Sequence, residues 1–482
     1  MDIEIKRDFF EKEFGIPNLW LFSFSFSDTK KAMLIRPNLL ALIFLFSFLT
    51  FQVESVELVF WNFWDPKFIL PVIAKFEETH PGVSIKNEQL TWGNGLDKIV
   101  VAIANGRTPD ICELGSTWTG KFMSGESLID ITGFVQDIFP EYLLWEPATW
   151  NHRIYGVPWL VGTRVLFFNR SLFKNVDLDP EKPPTTWDEL LNAAKKIHRP
   201  EMGVYGFGVN AGEGHILYKK FLPFVWGNGG SILDASDNFV FDSLATREAL
   251  AFYQKLMQFG LKEKQDILDD AFKRGKLGLE ISGSWNFAKF PKESPDLDFG
   301  VTLIPKPAPD KGHSSSFLGG EILVLFKNCK APSVAVDFIK FLTRAENSLP
   351  ITKEALVSFP ANRKAFSDPF FSADPRLAVF VKQMETAVHP PIHPLWIELE
   401  NIINDTVEKI LYGGDIDSAL KNAAVAYEKV KVQRVARLEP SGNLASKPSD
   451  SSSKFSESES WILHFIAFGT LINALILLLI YV

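Results

Sequence analysis

Residues 56–64 read VELVFWNFW, residues 83–92 read VSIKNEQLTW and residues 110–118 read DICELGSTW. Each is an apolar run of strand character that leads to tryptophan, and helical patterns separate them. After the first run, Ile69, Val72, Ile73 and Phe76 recur at helical spacing behind Asp65-Pro66, an N-cap with proline at the first helical position. His80-Pro81-Gly82 ends that helix. After the second run, Leu96, Ile99, Val100 and Ile103 repeat the spacing until Asn105-Gly106 stops it. The order βαβαβ makes the three strands parallel and sets their C-terminal ends on one rim, where open α/β sheets hold ligands. Indole rings on such a rim suit the apolar face of a sugar and suit phosphate poorly.

The chain has 482 residues, 46% hydrophobic and 22% charged, enough for two or three domains with a sizeable core. A net charge of −8 argues against nucleic acid as a partner. Cys112 and Cys329 are too few for a disulfide framework; both stand beside apolar strand patterns and read as buried thiols. In His389-Pro390-Pro391-Ile392-His393 the prolines forbid helical spacing, so the pair reads as a turn between helices and not as a metal site. Gly227-Asn228-Gly229-Gly230 lacks the Lys-Ser/Thr ending of a phosphate loop. No metal or cofactor is expected.

Both ends of the chain have membrane character. Leu39–Phe51 is a compact apolar run behind Lys30, Lys31 and Arg36 and ahead of Val53-Glu54-Ser55, the layout of a secretory signal. Residues 1–55 are therefore expected to be an N-terminal extension and signal peptide, with an uncleaved signal anchor as the alternative. Trp461–Val482 holds no charged residue and spans ~33 Å as a helix, enough to cross a bilayer core. A transmembrane helix at 461–482 is expected behind a flexible polar linker at 433–460, as the tether of an extracytoplasmic domain or the front of a membrane fusion.

In between, Tyr155–Trp159 opens a strand that continues through Val165–Phe168, and Thr186 and Glu189 form a capping box with Trp187 packed at the helix start. Strand patterns at Gly203–Val209, Phe299–Ile304 and Ile322–Phe326 alternate with helical ones at Leu217–Val225, Thr246–Phe259 and Ala331–Leu342. Further helices are expected at Arg376–Thr386, Trp396–Leu411 and from Ile416 to about Val432.

Tyr155–Trp159, VLFFNRSLF (165–173), PTTWDELL (184–191), AFKRGKLGLEISGSW (271–285), FLGGEILVLF (317–326), FIKFLTRAE (338–346) and FPANRK (359–364) follow one another in order. In this the chain resembles, over about Val56–Val432, the extracellular solute-binding proteins of ABC importers, in their maltose-binding-like, sugar-binding branch. The resemblance implies an α/β, two-lobed periplasmic-binding-protein-like fold of type II with hinge strands. Lobe one takes residues 56–162 and 303–350, and lobe two takes 163–302 and 351–432. It also implies a monomeric, non-enzymatic receptor that captures a sugar or oligosaccharide between its lobes, closes by hinge motion and delivers it to ABC permease subunits.

Candidate ligand contacts follow from the residues and from the resemblance. Trp61, Phe63 and Trp64 end the first strand and Trp118 the third, where flat rings stack on sugar faces; packing under a loop is the plain alternative. Trp92 reads as a platform or as a helix cap. Glu113 and Glu321 offer carboxylates to hydroxyls, and Gly319 and Gly320 let backbone amides approach a ligand. The resemblance adds Trp226, Asn228 and Trp285 on the second lobe. Arg164 and Arg363 stand as bidentate donors to vicinal hydroxyls or as bridges between lobes, and Trp396 as a cleft-closing ring or a core residue. Three other readings stay open: a glycosidase using Glu113 and Glu321, a sensor ectodomain, and the same scaffold holding a phosphorylated polyol, polyamine or metal ion.

Overall fold

The computed structural model of the protein describes residues 55–438. The expected signal segment, the linker beyond Leu438 and the membrane helix at 461–482 lie outside the described residues. Among the described residues no helix is long and apolar enough to cross a membrane.

The strands in chain order are β1 (Val56–Asn62), β2 (Val83–Gln89), β3 (Ile111–Gly115), the hairpin β4 and β5 (Thr149–Trp150, Arg153–Ile154), β6 (Gly156–Gly162), β7 (Val165–Asn169) and β8 (Tyr205–Asn210). They continue with β9 (Gly260–Glu263), β10 (Leu277–Ser282), β11 (Phe299–Thr302), β12 (Ser316–Phe317), β13 (Gly319–Leu325), β14 (Phe359–Pro360) and β15 (Ala387–Val388). Two main sheets result, in the orders β14-β6-β13-β3-β1-β2 and β11-β7-β10-β8-β9.

In the first sheet β1 runs parallel to β2 and β3, so their C-terminal ends do share a rim. The Asp65 side chain accepts from the Lys67 amide and starts the helix Pro66–Thr79. That helix buries Ile69, Ile73 and Phe76; Phe338, from the helix Pro332–Thr343, meets Phe76 at 5.2 Å and Phe60 of β1 at 5.5 Å. β13 returns antiparallel between β3 and β6. Cys112 and Cys329 are both buried and free.

In the second sheet β8 and β10 are parallel, while β7 runs antiparallel to β10 and β11. The capping box at Thr186 and Glu189 is formed, and Trp187 stacks on Phe252 at 4.7 Å. A phenylalanine-rich core gathers Phe167, Phe272, Phe290, Phe299 and Phe380 beside β7 and takes in Phe359 and Phe371.

The chain passes between the sheets through Thr163-Arg164, which separate β6 from β7, and returns through β12 to β13. These crossings are stitched together: Thr163 Oγ1 donates to the Phe317 carbonyl at 2.8 Å and Ser316 Oγ to the Arg164 carbonyl at 2.7 Å. β15 pairs with β12 beside them.

Two boundaries differ from expectation. Residues 351–432 are expected in the second lobe, yet β14 closes the edge of the first sheet by pairing with β6. The helix from Ile416 runs to Leu438, so residues 433–438 are helical and not linker. Nothing in that run opposes a helix, since it holds no glycine or proline.

Candidate functional site

The rim of the first sheet is built where β1 ends. The Phe63 amide donates to Glu113 Oε2 at 2.8 Å and the Trp64 amide to Asn62 Oδ1 at 3.1 Å. This turn sends the neighbouring rings in three directions. Phe63 stacks on Trp92 at 4.1 Å and meets Trp118 at 5.9 Å, with Trp92 5.5 Å from Trp118. The ends of β1, β2 and β3 thus contribute one ring each to a single cluster. Trp92 is 45% exposed and Trp118 2%. Trp64 turns inward against Trp159 at 5.7 Å, and Trp61 lies beneath Lys98, whose ammonium is 4.5 Å from the ring. Trp61 is therefore a packing residue under the helix Gly95–Ala104 and does not join the cluster.

The second sheet faces this cluster with the segment after β8. His215 lies 5.2 Å from the Trp118 ring, so the two halves touch here. Its Nδ1 is 2.6 Å from Glu400 Oε1 and its Nε2 is 2.9 Å from Lys219 Nζ. A carboxylate only accepts, so Nδ1 donates to Glu400 and Nε2 is left to accept from the ammonium. Burial, and then Lys219, hold His215 below its ordinary pKa, which keeps it neutral. Burial also brings Lys219 down to about 8, against the pull of Glu400. Tyr218 packs on Trp396 at 5.8 Å and Phe317 at 5.9 Å, and its buried hydroxyl has no hydrogen-bond partner among the described residues.

At the crossing, the Arg164 guanidinium stands 4.7 Å over the Trp285 ring. Trp285 Nε1 donates to Asp269 Oδ2 at 3.3 Å, and the ring folds back over Gly283. A Cβ at Gly283 would fall 1.8 Å from that ring, so glycine is required for this close approach. Burial lowers the Arg164 pKa to about 10 and raises that of half-buried Glu321 to about 7, and the two groups oppose each other's shift. Burial first, and Glu321 second, hold Glu113 well above the carboxylate range. Glu113 thus acts as the anchor of the Phe63 loop.

A hydrogen-bond chain joins the first sheet to the crossing segment. The Gly320 amide donates to Ser116 Oγ at 3.2 Å, and Ser116 Oγ lies 3.0 Å from His389 Nε2. His389 Nδ1 is bonded to the Pro390 carbonyl, so Nε2 accepts from the serine. Gly320 therefore spends its amide on Ser116 and is not available to a ligand as expected. A Cβ there would sit 2.1 Å from the Leu160 carbonyl, so this glycine permits sheet packing. Gly319 backs onto the Phe317 ring for the same kind of reason.

Four other candidates lie apart from the cluster. Trp226 and Asn228 stand at the far end of the helix Leu217–Gly227, ~12–15 Å along its axis from Tyr218. Asn228 Nδ2 donates to the Ala245 carbonyl at 3.1 Å and to Glu248 at 2.7 Å. Arg363 is exposed on the turn Arg363–Ser367. Trp396 is 1% exposed in the core of the second half and packs against Tyr218. Residues overlooked in the sequence are Ser116, His215, Tyr218, Lys219 and Glu400, while His389 reads there only as part of a turn. His215 had one available signal, its place just beyond the C-terminal end of a strand parallel to its neighbours. Among the described residues no cluster of His, Cys, Asp and Glu is arranged to hold a metal.

Comparison with known proteins agrees with this architecture. A putative binding protein of Brucella abortus is 25% identical over 366 residues, covering 74% of this chain and 87% of the relative. The diacetylchitobiose binding protein of Streptomyces coelicolor is 26% identical over 309 residues, covering 59% and 70%. The crystal structure of the cyclic alpha-maltosyl-1,6-maltose binding protein from Arthrobacter globiformis superposes with a TM-score of 0.68 at 26% identity, covering 78% of this chain and 99% of that one. The family model described as Bacterial extracellular solute-binding protein matches residues 65–348, more than half of the chain. With the two-sheet fold and its crossing strands, that match settles the assignment: the chain belongs to the bacterial extracellular solute-binding proteins.

Proposed function

We propose that the protein is an extracytoplasmic receptor for a sugar or short oligosaccharide, which it captures between its two halves and delivers to an ABC permease. The observation that carries this reading is the ring cluster Phe63–Trp92–Trp118 set against His215, with Arg164, Trp285 and Glu321 at the crossing beside it. Aromatic faces take up the C–H face of a pyranose while polar side chains around them satisfy its hydroxyls. The sugar-binding relatives support the ligand class. The family consists of binding proteins, and Glu113, buried and committed to the Phe63 amide, is poorly placed to act with Glu321 as a glycosidase pair. Residues 461–482, without a charged side chain, would tether the receptor near its permease and raise its effective concentration there.

Titration of the purified protein with a panel of mono- and oligosaccharides, followed by thermal shift and calorimetry, tests the reading. A saturable stabilisation by at least one saccharide is expected. Stabilisation by amines or metal ions with none by any saccharide would overturn it.

A further inference from the structure

We propose that the captured saccharide is acidic, and that a hexuronate carboxylate sits between Arg164 and Lys219. This deepens the sugar-receptor reading and rests on it. The two cations flank the same crossing strand. The Arg164 amide donates to Ser316 Oγ at 3.2 Å, and the Lys219 ammonium lies 5.3 Å from the Phe317 ring. Among the described residues neither has a carboxylate within ion-pair distance. The Arg164 guanidinium donates through Nη1 to its neighbour's carbonyl, Thr163 O, at 3.1 Å, and Lys219 meets His215 Nε2. Three other half-buried cations carry acids, Lys289 with Asp269 at 3.3 Å, Lys273 with Asp270 at 2.7 Å and Arg376 with Asp374 at 2.8 Å, while Lys220, Lys262 and Lys306 each meet a neutral protein oxygen instead.

Two half-buried positive charges that raise each other's cost, with no acid in contact, call for an anion from outside the chain. Burial already pulls both below their ordinary values, Arg164 to about 10 and Lys219 to about 8, and each adds to the shift of Lys219 or His215 in the same direction. The charge of the guest is limited by Glu321, which acts on both cations, and by Glu400, which acts on Lys219. Such surroundings oppose a phosphate monoester, which carries about −1.5 to −2 at neutral pH, more than a carboxylate with its single charge. A planar carboxylate also matches the guanidinium fork, whose remaining donors meet no protein acceptor among the described residues. Trp285 beneath Arg164 holds the guanidinium in place to meet that carboxylate.

The experiment compares the wild-type protein's affinity for glucuronate, galacturonate, mannuronate and their disaccharides with that for the neutral sugar of the same configuration. The hexose 6-phosphates form a third arm. At least one acid is expected to bind tenfold or more tightly than its neutral partner, and Arg164→Gln and Lys219→Met are each expected to abolish most of that ratio. Equal or tighter binding of neutral sugars would overturn the proposal and leave the receptor reading standing. Tighter binding of the phosphates would overturn the carboxylate assignment. Failure of every saccharide, charged or neutral, would bring down the receptor reading itself.

Discussion

The Trp118 ring at the end of β3 and the His215 ring after β8 lie 5.2 Å apart, although they belong to different sheets. Trp118 is fixed from its own side by Trp92 and Phe63, and His215 from its side by Glu400 and Lys219. A saccharide that enters between the sheets meets a prearranged aromatic face and a prearranged polar face, which lowers the entropy cost of binding.

Two tryptophans near the first rim separate stability from binding. Trp92→Ala removes an exposed ring and is expected to weaken saccharide binding by up to about tenfold, the worth of one stacking contact, with little change in Tm. Trp61→Ala removes a buried ring away from the cluster and is expected to cost about 3–5 kcal/mol of stability while leaving affinity unchanged. Denaturant melts and calorimetry on the two variants check both halves of this contrast.

Gly283→Ala forces the Trp285 ring off its seat, since the new methyl overlaps it. Displacement of the ring breaks its contacts with Asp269 and Arg164 together. Affinity is expected to fall by more than tenfold, and Trp285→Ala, measured in parallel, should show a similar loss. A wild-type affinity in Gly283→Ala would place the ligand elsewhere.

Acid and base act on two different groups at the crossing. Glu321 is raised from 4.5 to about 7 in the folded chain, so its contribution to stability is complete below pH 4.5 and is lost as pH rises toward 7. His389 is lowered from 6.5 to about 4 by burial, so its contribution is complete above pH 6.5 and is lost as pH falls toward 4. In melts between pH 4 and 8, Glu321→Gln is expected to flatten the fall in Tm on the alkaline side. His389→Gln is expected to flatten the fall on the acid side.

The strands β1, β2 and β3, their shared rim and the capping box at Thr186 were legible because each rests on neighbours a few positions away. The partition of Trp61, Phe63 and Trp64 was not. It depends on Glu113, 50 positions from Phe63, accepting the amide that turns the chain. His215 was invisible for a similar reason, since Glu400, which gives it a role, lies 185 positions on. Trp226 and Asn228 rest on family analogy, and a helix of 11 residues sets them at the end opposite Tyr218. His389 reads as part of a proline turn, which it is, yet that turn delivers its ring to Ser116.

Backbone hydrogen exchange with and without a saturating saccharide tests most directly whether the ligand is held between the halves. Slowed exchange is expected on both sides at once, in residues 91–96 and 116–120 of the first half and in residues 212–219 of the second. Protection confined to one half, or to a surface away from the Thr163-Arg164 crossing, would contradict it.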